Sequence, residues 1–149
     1  MKTKLFFICA LGLLLNSTAS ALDSGISFAV YATPEKPYIE INIEIAAASV
    51  TFKSVDSTHL QAAVEALILI KQGGQVVNYE KYVLNSPLVE VPRNLLDVKR
   101  LSIPNGEYTI EISFQDVHDA ENKDSFTSPL KVAVGDNIHL TEVQLLRGF

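Results

Sequence analysis

The sequence predicts an all-β domain, an antiparallel β-sandwich of about seven to eight strands. Two segments alternate apolar and polar side chains with a period of two, as half-buried strands do. Turn-forming Gly, Pro and Asn residues separate these and further short apolar runs. Short strands at regular intervals with turns between them are typical of sandwiches and barrels.

The clearest strand is the segment 38–45. Its four isoleucines occupy alternate positions, and Glu40, Asn42 and Glu44 lie between them. A helix would distribute these isoleucines around its circumference, so the pattern indicates a strand. Pro37 directly precedes the segment and disfavours a helical start.

A second alternating segment, 108–115, follows Pro-Asn-Gly at 104–106. Asn-Gly predicts a turn there, because both residues tolerate positive φ. Residues 105–110 are similar to the tyrosine corner of immunoglobulin-like sandwiches, in which a tyrosine hydroxyl bonds to upstream backbone. This predicts an immunoglobulin- or fibronectin-III-like sandwich with Gly106 and Tyr108 as structural residues and Ile110 in the core. An ordinary hairpin with a partly buried tyrosine is the alternative.

Further strands are expected wherever β-branched and aromatic residues cluster between turn signals. Gly73 and Gly74 predict a two-residue hairpin turn before the strand that begins near Val76. The remaining predicted strands are 26–32, 50–55, 76–84, 95–103 and 126–134.

The segment 58–72 fits two templates. Its alanines and Gly73 favour a helix, with Gly73 just beyond its end. The run Leu-Ile-Leu-Ile at 67–70 before Gly-Gly favours a buried strand. We predict the strand, because a single helix would have little to pack against inside a small sandwich.

The first 21 residues have the pattern of a cleavable signal peptide. Lys2 and Lys4 precede an apolar run, 5–15, and Ala19-Ser20-Ala21 ends the segment as an A-x-A site. A membrane anchor is the alternative, but the run is far shorter than the roughly 20 residues of a spanning helix. We therefore expect cleavage after Ala21, and export to the periplasm, the cell surface or the exterior.

The predicted organisation is a signal peptide at 1–21, a sandwich at 22–136, and a C-terminal strand or the start of a further region at 137–149. Loss of the leader would remove Cys9, the only cysteine, so no disulfide framework is expected. It would also remove Lys2 and Lys4 from a chain whose net charge is already −5. This acidic balance, without a basic cluster, argues against nucleic acid and against anionic membranes.

Candidate catalytic groups do not form a recognisable constellation. The chain has no Gly-x-Ser-x-Gly elbow, and its histidines are far apart at His59, His118 and His139. Glu40, Glu44 and Glu111 are expected on polar strand faces, where nothing sets two of them across a cleft. We predict no enzyme activity and no cofactor.

The segment 116–124 is the one weak candidate for a metal site. Asp116, Asp119, Glu121 and Asp124 place several oxygen ligands in a predicted loop, which suits calcium. The spacing departs from the EF-hand pattern. A solvated loop is therefore the favoured interpretation.

Three segments in order, 37–41, 82–89 and 101–112, resemble the N-terminal region of exported Bacteroidetes proteins called GWxTD domain-containing proteins. The resemblance implies an extracytoplasmic β-sandwich of unassigned activity. The Gly-Trp-x-Thr-Asp signature itself is absent, since the chain has no tryptophan.

These observations predict a non-enzymatic binding or scaffold module of the cell envelope. Its partner would be another envelope protein, bound through end loops or through a sheet edge formed by 26–32 or 140–147. The alternative is a carbohydrate-binding or accessory domain of a longer envelope enzyme. Tyr79 and Tyr82, however, have opposite parity and cannot form one platform. Protease inhibition by an inserted loop, 85–87, is a third hypothesis.

Overall fold

The computed structural model describes residues 21–33 and 36–135. Residues 1–20 of the predicted signal peptide, which include Ala19, lie outside these ranges. So do the C-terminal region 137–149 and His139, and the predictions for all of them stay predictions. Apart from one 3-10 turn at Ala47–Ser49, the regular structure of the described residues is all strand. The strands are β1 (Ser24–Tyr31), β2 (Tyr38–Ile45), β3 (Lys53–Ser54), β4 (Leu60–Gln61), β5 (Ala63–Gln72), β6 (Gln75–Asn85), β7 (Leu95–Ser102), β8 (Gly106–Asp116) and β9 (Asp119–Val132).

The strands form two antiparallel sheets that face each other. One sheet has the order β1-β2-β7, the other has the order β6-β5-β8-β9, and β3 pairs with β4 in a short separate ribbon. This confirms the predicted immunoglobulin- or fibronectin-III-like sandwich, with seven long strands within the described residues.

The core lies between the sheets and follows the predicted alternation. Burial of each large aliphatic side chain contributes about 1.5–3 kcal/mol, so these positions dominate the stability of a domain without disulfides. The fully or almost fully buried members include Ile39, Ile41, Ile43 and Ile45 from β2, Ile68 and Ile70 from β5, and Ile110, Ile112 and Phe114 from β8.

The ambiguous segment 58–72 is strand, as predicted. Ala63–Gln72 forms β5, in the middle of the four-stranded sheet between β6 and β8. The small Ala66 is fully buried there, while Leu67 and Leu69 are half-buried on the opposite face. The hairpin to β6 is the predicted one, with Gly73 at φ +58° and Gly74 at φ +84°.

The predicted turn at Asn105-Gly106 is wrong in its mechanism. Among the described residues only Gly73 and Gly74 have positive φ, and Gly106 begins β8. The segment crosses from β7 in one sheet to β8 in the other and does not form a hairpin. A Cβ at position 106 would lie 2.9 Å from the hydroxyl oxygen of Tyr108, so the position requires glycine for space.

The tyrosine corner is confirmed. The hydroxyl of Tyr108 donates a hydrogen bond to the carbonyl oxygen of Pro104 at 3.1 Å, and the side chain is buried. Ile110 is fully buried two residues later, as predicted. An ordinary hairpin is therefore excluded at this position.

The predicted strand 50–55 is mostly wrong. Only Lys53 and Ser54 pair, with β4, and residues 50–52 lie outside any strand, directly after the 3-10 turn. The physical reason is that this segment carries the chain from β2 to the opposite sheet. The backbone N–H of Thr51 donates to the carboxylate of Asp116 at 2.7 Å rather than to a neighbouring strand.

Candidate protein-interaction surface

The acidic segment 116–124 is not the loop that the sequence predicted. Asp116 ends β8, Asp119 begins β9, and only residues 117 and 118 form the turn between them. Asp119 and Glu121 are exposed strand residues, whereas Asp116 is fully buried. No three His, Cys, Asp or Glu side chains within residues 21–33 and 36–135 are grouped so that they could hold a metal ion.

Asp116 instead fastens one end of the sandwich. Its carboxylate accepts hydrogen bonds from the backbone N–H of Thr51 at 2.7 Å and of His118 at 2.8 Å. Burial raises the pKa of Asp116, but these hydrogen bonds outweigh it and hold the pKa below its usual range. Buried Asn122 donates from Nδ2 to the carbonyl oxygen of Ser49 at 2.7 Å, so the β8–β9 hairpin is tied to the 3-10 turn.

The other candidate polar residues are paired on the surface. His59 lies 2.8 Å from Asp56 in the β3–β4 ribbon, where backbone N–H groups lower the pKa of Asp56. His118 is exposed.

The three strand carboxylates form hydrogen bonds with neighbouring strands or loops. Glu40 bonds to Arg100 at 2.7 Å, Glu44 to Asn94 at 2.7 Å and Glu111 to Lys71 at 2.6 Å.

The candidate inhibitory loop 85–87 is anchored at its centre. Ser86 is buried, its hydroxyl donates to the carbonyl oxygen of Pro87 at 2.9 Å, and it accepts from the N–H of Ala62 at 3.0 Å. Protease-inhibitor loops present their central residues to solvent, so this segment does not suit that function.

The most distinctive surface belongs to β6. Among the described residues, β6 pairs only with β5, so its other edge is open. Four of its 11 residues carry exposed apolar side chains, on the outer face of the four-stranded sheet. We call this set, with the adjoining leucines of β5, the β6 surface: Val76 (48% exposed), Val77 (52%), Tyr79 (68%), Val83 (48%), Leu67 and Leu69.

The sheet register makes the β6 surface continuous. Tyr79 lies directly opposite Leu69, and a bulge opposite Ile70 and Lys71 turns Val76 and Val77 to the same outer face. Soluble monomers usually avoid a long edge strand with apolar side chains, because its free N–H and C=O groups can pair with another strand.

The charged residues beside the β6 surface form ion pairs within the chain. Lys81, midway along β6, forms an ion pair with Glu65 at 2.9 Å. Lys71 forms another with Glu111 at 2.6 Å beside the same face. A partner therefore meets an apolar strip with little unpaired charge.

The inner side of β6 is fixed to β7 by a cluster that we call the β6–β7 clamp. The hydroxyl of Tyr82 donates to Asp97 at 2.7 Å, and Lys99 Nζ lies 3.7 Å from the centre of the Tyr82 ring. Lys99 also lies 3.3 Å from Glu80. Burial, and then the hydrogen bond to Asp97, raises the pKa of Tyr82 far above its ordinary value. The clamp holds the open edge in place and confirms that Tyr79 and Tyr82 face opposite sides.

The other edges of the two large sheets are better protected. β9 carries Lys123, Pro129 and Lys131, which discourage pairing. β1, which contains most of the predicted edge segment 26–32, does lie at an edge, but the Ser24 hydroxyl bonds to Asp124 of β9 at 2.5 Å. β7 exposes two apolar residues, interleaved with charged Asp97, Lys99 and Arg100. The other predicted edge segment, 140–147, lies outside the described residues.

Comparison with known proteins adds little. No family model and no curated protein matches the chain, so its resemblance to GWxTD domain-containing proteins stays a prediction. Among solved structures, the chain is similar to the ApaA protein from Bordetella pertussis, with 10% sequence identity and a TM-score of 0.41. That match covers 78% of this chain and 98% of the other. No helix in the described part of the chain is long and apolar enough to cross a membrane.

Proposed function

We propose that this chain is an exported, non-enzymatic binding or scaffold module of the cell envelope, which binds protein partners at the open edge of β6. The observation that carries the proposal is the juxtaposition of an unpaired edge with exposed Val77, Tyr79 and Val83. The signal-peptide pattern of residues 1–21 supports export.

Strand addition is the mode of binding that this geometry favours. A partner strand would form main-chain hydrogen bonds with β6, while its alternate side chains cover the β6 surface. Each hydrogen bond contributes about 0.5–1.5 kcal/mol net, and covered apolar area contributes about 25 cal/mol per Å². The clamp between Tyr82 and Asp97 keeps β6 ordered before binding, which lowers the entropy lost on association.

Two valines provide a matched test. Val83 on β6 and Val98 on β7 are 48% and 49% exposed, and both lie on strands at a sheet edge. A partner captured from envelope extract should be retained by the unchanged protein and by Val98→Lys, and lost by Val83→Lys. If capture is equally sensitive to both substitutions, or to neither, binding does not occur at β6.

A carbohydrate-binding or accessory domain of a longer envelope enzyme is the second candidate. The exposed ring of Tyr79 favours it, since sugars stack on aromatic faces. Binding on a glycan array that Tyr79→Ala abolishes and Val83→Lys does not would select this function over protein binding.

A further inference from the structure

We propose that the strand added at β6 is the β6 strand of a second copy of this chain, so that the two sandwiches form a two-fold dimer centred on Tyr79. This inference rests on the proposed function, because it uses the same open edge. It goes further by naming the partner and the register.

The symmetry of an antiparallel strand pair suits such a dimer. A two-fold axis perpendicular to the four-stranded sheet would place β6 antiparallel to β6 of the partner subunit, with both β6 surfaces on the same side. The result is one continuous sheet of eight strands. A single contact then closes both open edges, which a monomer would leave exposed.

The charges along β6 limit where the axis can lie. Residues directly opposite each other in a strand pair interact most closely, and like charges there are destabilising. An axis at Lys81 would oppose two lysines, and an axis at Glu80 would oppose two glutamates. Among the axes that avoid both like-charge pairs, one at Tyr79 also opposes two exposed aromatic rings in the middle of the β6 surface.

The neighbouring positions agree with an axis at Tyr79. Val77 would face Lys81 of the partner subunit, whose aliphatic stem can cover the valine while its ammonium stays paired with Glu65. Asn78 would face Glu80 of the partner subunit, as an amide donor beside a carboxylate. Because the β6 surface has little unpaired charge, an identical neutral strip complements it better than a strongly charged peptide.

Cysteine cross-linking measures this register directly. Cys9→Ser in the full chain leaves an introduced cysteine as the only thiol. Directly opposite Cα atoms in an antiparallel pair lie about 4.5–5.5 Å apart, within the range of a disulfide. Tyr79→Cys should therefore form a disulfide-linked dimer under mild oxidation. Lys81→Cys should not, because its two copies would be offset along the strands by roughly 13 Å.

The mass in solution tests the dimer without cross-links. Light scattering should give twice the chain mass for the unchanged protein and for Val98→Lys. Tyr79→Lys, which sets two ammonium groups opposite each other at the axis, should give a monomer with unchanged circular dichroism. A folded unchanged protein that is monomeric at high micromolar concentration overturns the dimer, and cross-linking at Lys81 rather than Tyr79 overturns the register.

Failure of the dimer and failure of the proposed function give different results. A monomer that still captures a different envelope protein, in a way that Val83→Lys abolishes, disproves only the dimer. A monomer with no partner sensitive to Val83→Lys disproves both.

Discussion

The hydroxyl of Tyr108 donates a hydrogen bond to the carbonyl oxygen of Pro104 at 3.1 Å, across the point where the chain passes from one sheet to the other. The bond satisfies a carbonyl just before β8 begins at Gly106, and it fixes the ring over that glycine. The side chain of Tyr108 thus fixes both the segment that passes between the two sheets and the start of the central strand β8.

Removal of this hydroxyl should weaken the fold without changing its shape. We expect Tyr108→Phe to lower the free energy of unfolding by about 1 kcal/mol, the net value of one hydrogen bond. Chemical denaturation with a two-state fit measures this. Tyr79→Phe is the control, since Tyr79 is 68% exposed in the single chain and the substitution keeps the ring that the proposed dimer uses. Its effect should stay below about 0.5 kcal/mol.

Gly106 should tolerate no side chain, even though its φ is ordinary. A methyl group there would lie 2.9–3.0 Å from three atoms of the Tyr108 ring and hydroxyl, so the corner must open. We expect Gly106→Ala to cost about 1–3 kcal/mol, the usual range for overpacking. Gly25→Ala is the matched strand control, because its closest contact would be an ordinary 3.8 Å. Equal losses for both variants would disprove the steric explanation.

Features that depend on neighbouring residues in the sequence were predictable. Alternation along 38–45 and 108–115 gave both the strands and their buried faces, since strand side chains alternate strictly. Gly73-Gly74 indicated the hairpin because positive φ is a local requirement. The tyrosine corner was predictable because its donor and acceptor, Tyr108 and Pro104, are only four residues apart.

Features that depend on distant partners were not predictable. The segment 116–124 has loop-like composition, yet the residues from Asp119 onward pair with β8. Asp116 is buried, and its carboxylate accepts a hydrogen bond from Thr51, which is 65 residues away in the sequence. The strand 76–84 was expected, but its place at an edge follows from the order of strands in the sheet. For that reason the sequence interpretation placed the interaction edges at 26–32 and 140–147 and missed the β6 surface.

Acid should weaken the protein partly through Asp116. Because the folded-state pKa lies below its ordinary value of 3.8, the ionised form is stabilised in the folded protein. This contribution is fully present above pH 3.8 and is lost as the pH falls through the lower folded-state value. Asp116→Asn should cost about 2 kcal/mol at neutral pH, because it weakens charge-assisted hydrogen bonds, and should flatten the loss of stability below pH 3.8.

The exposed Asp119 supplies the control for this prediction. It lies on the same hairpin, and Asp119→Asn should leave the stability at neutral pH close to that of the unchanged protein. Urea unfolding at a series of pH values compares the three proteins. An acid dependence that survives in Asp116→Asn would assign the effect to other carboxylates.

Base should weaken the protein through the β6–β7 clamp. Burial and the bond to Asp97 raise the pKa of Tyr82 above its ordinary value of 10.0, so the folded state favours the neutral phenol. The resulting stability is fully present below pH 10.0 and is lost as the pH rises above it, since the unfolded chain ionises first. Tyr82→Phe keeps the ring beside Lys99 but removes the hydroxyl that donates to Asp97. It should therefore lower the free energy of unfolding by about 1 kcal/mol at neutral pH and reduce the loss of stability at alkaline pH.

Two measurements separate the clamp from a general effect of tyrosine. Tyr79→Phe removes a hydroxyl from the opposite face of the same strand and should keep the full alkaline loss of stability. Ultraviolet titration of folded Tyr82→Phe should lack one tyrosine that, in the unchanged protein, ionises above the ordinary tyrosine range. If the clamp also orders the open edge, amide hydrogen exchange in β6 should accelerate in Tyr82→Phe, while exchange in β9 stays as it was. Uniform acceleration across both strands would mean that the clamp contributes to global stability alone and does not order the edge.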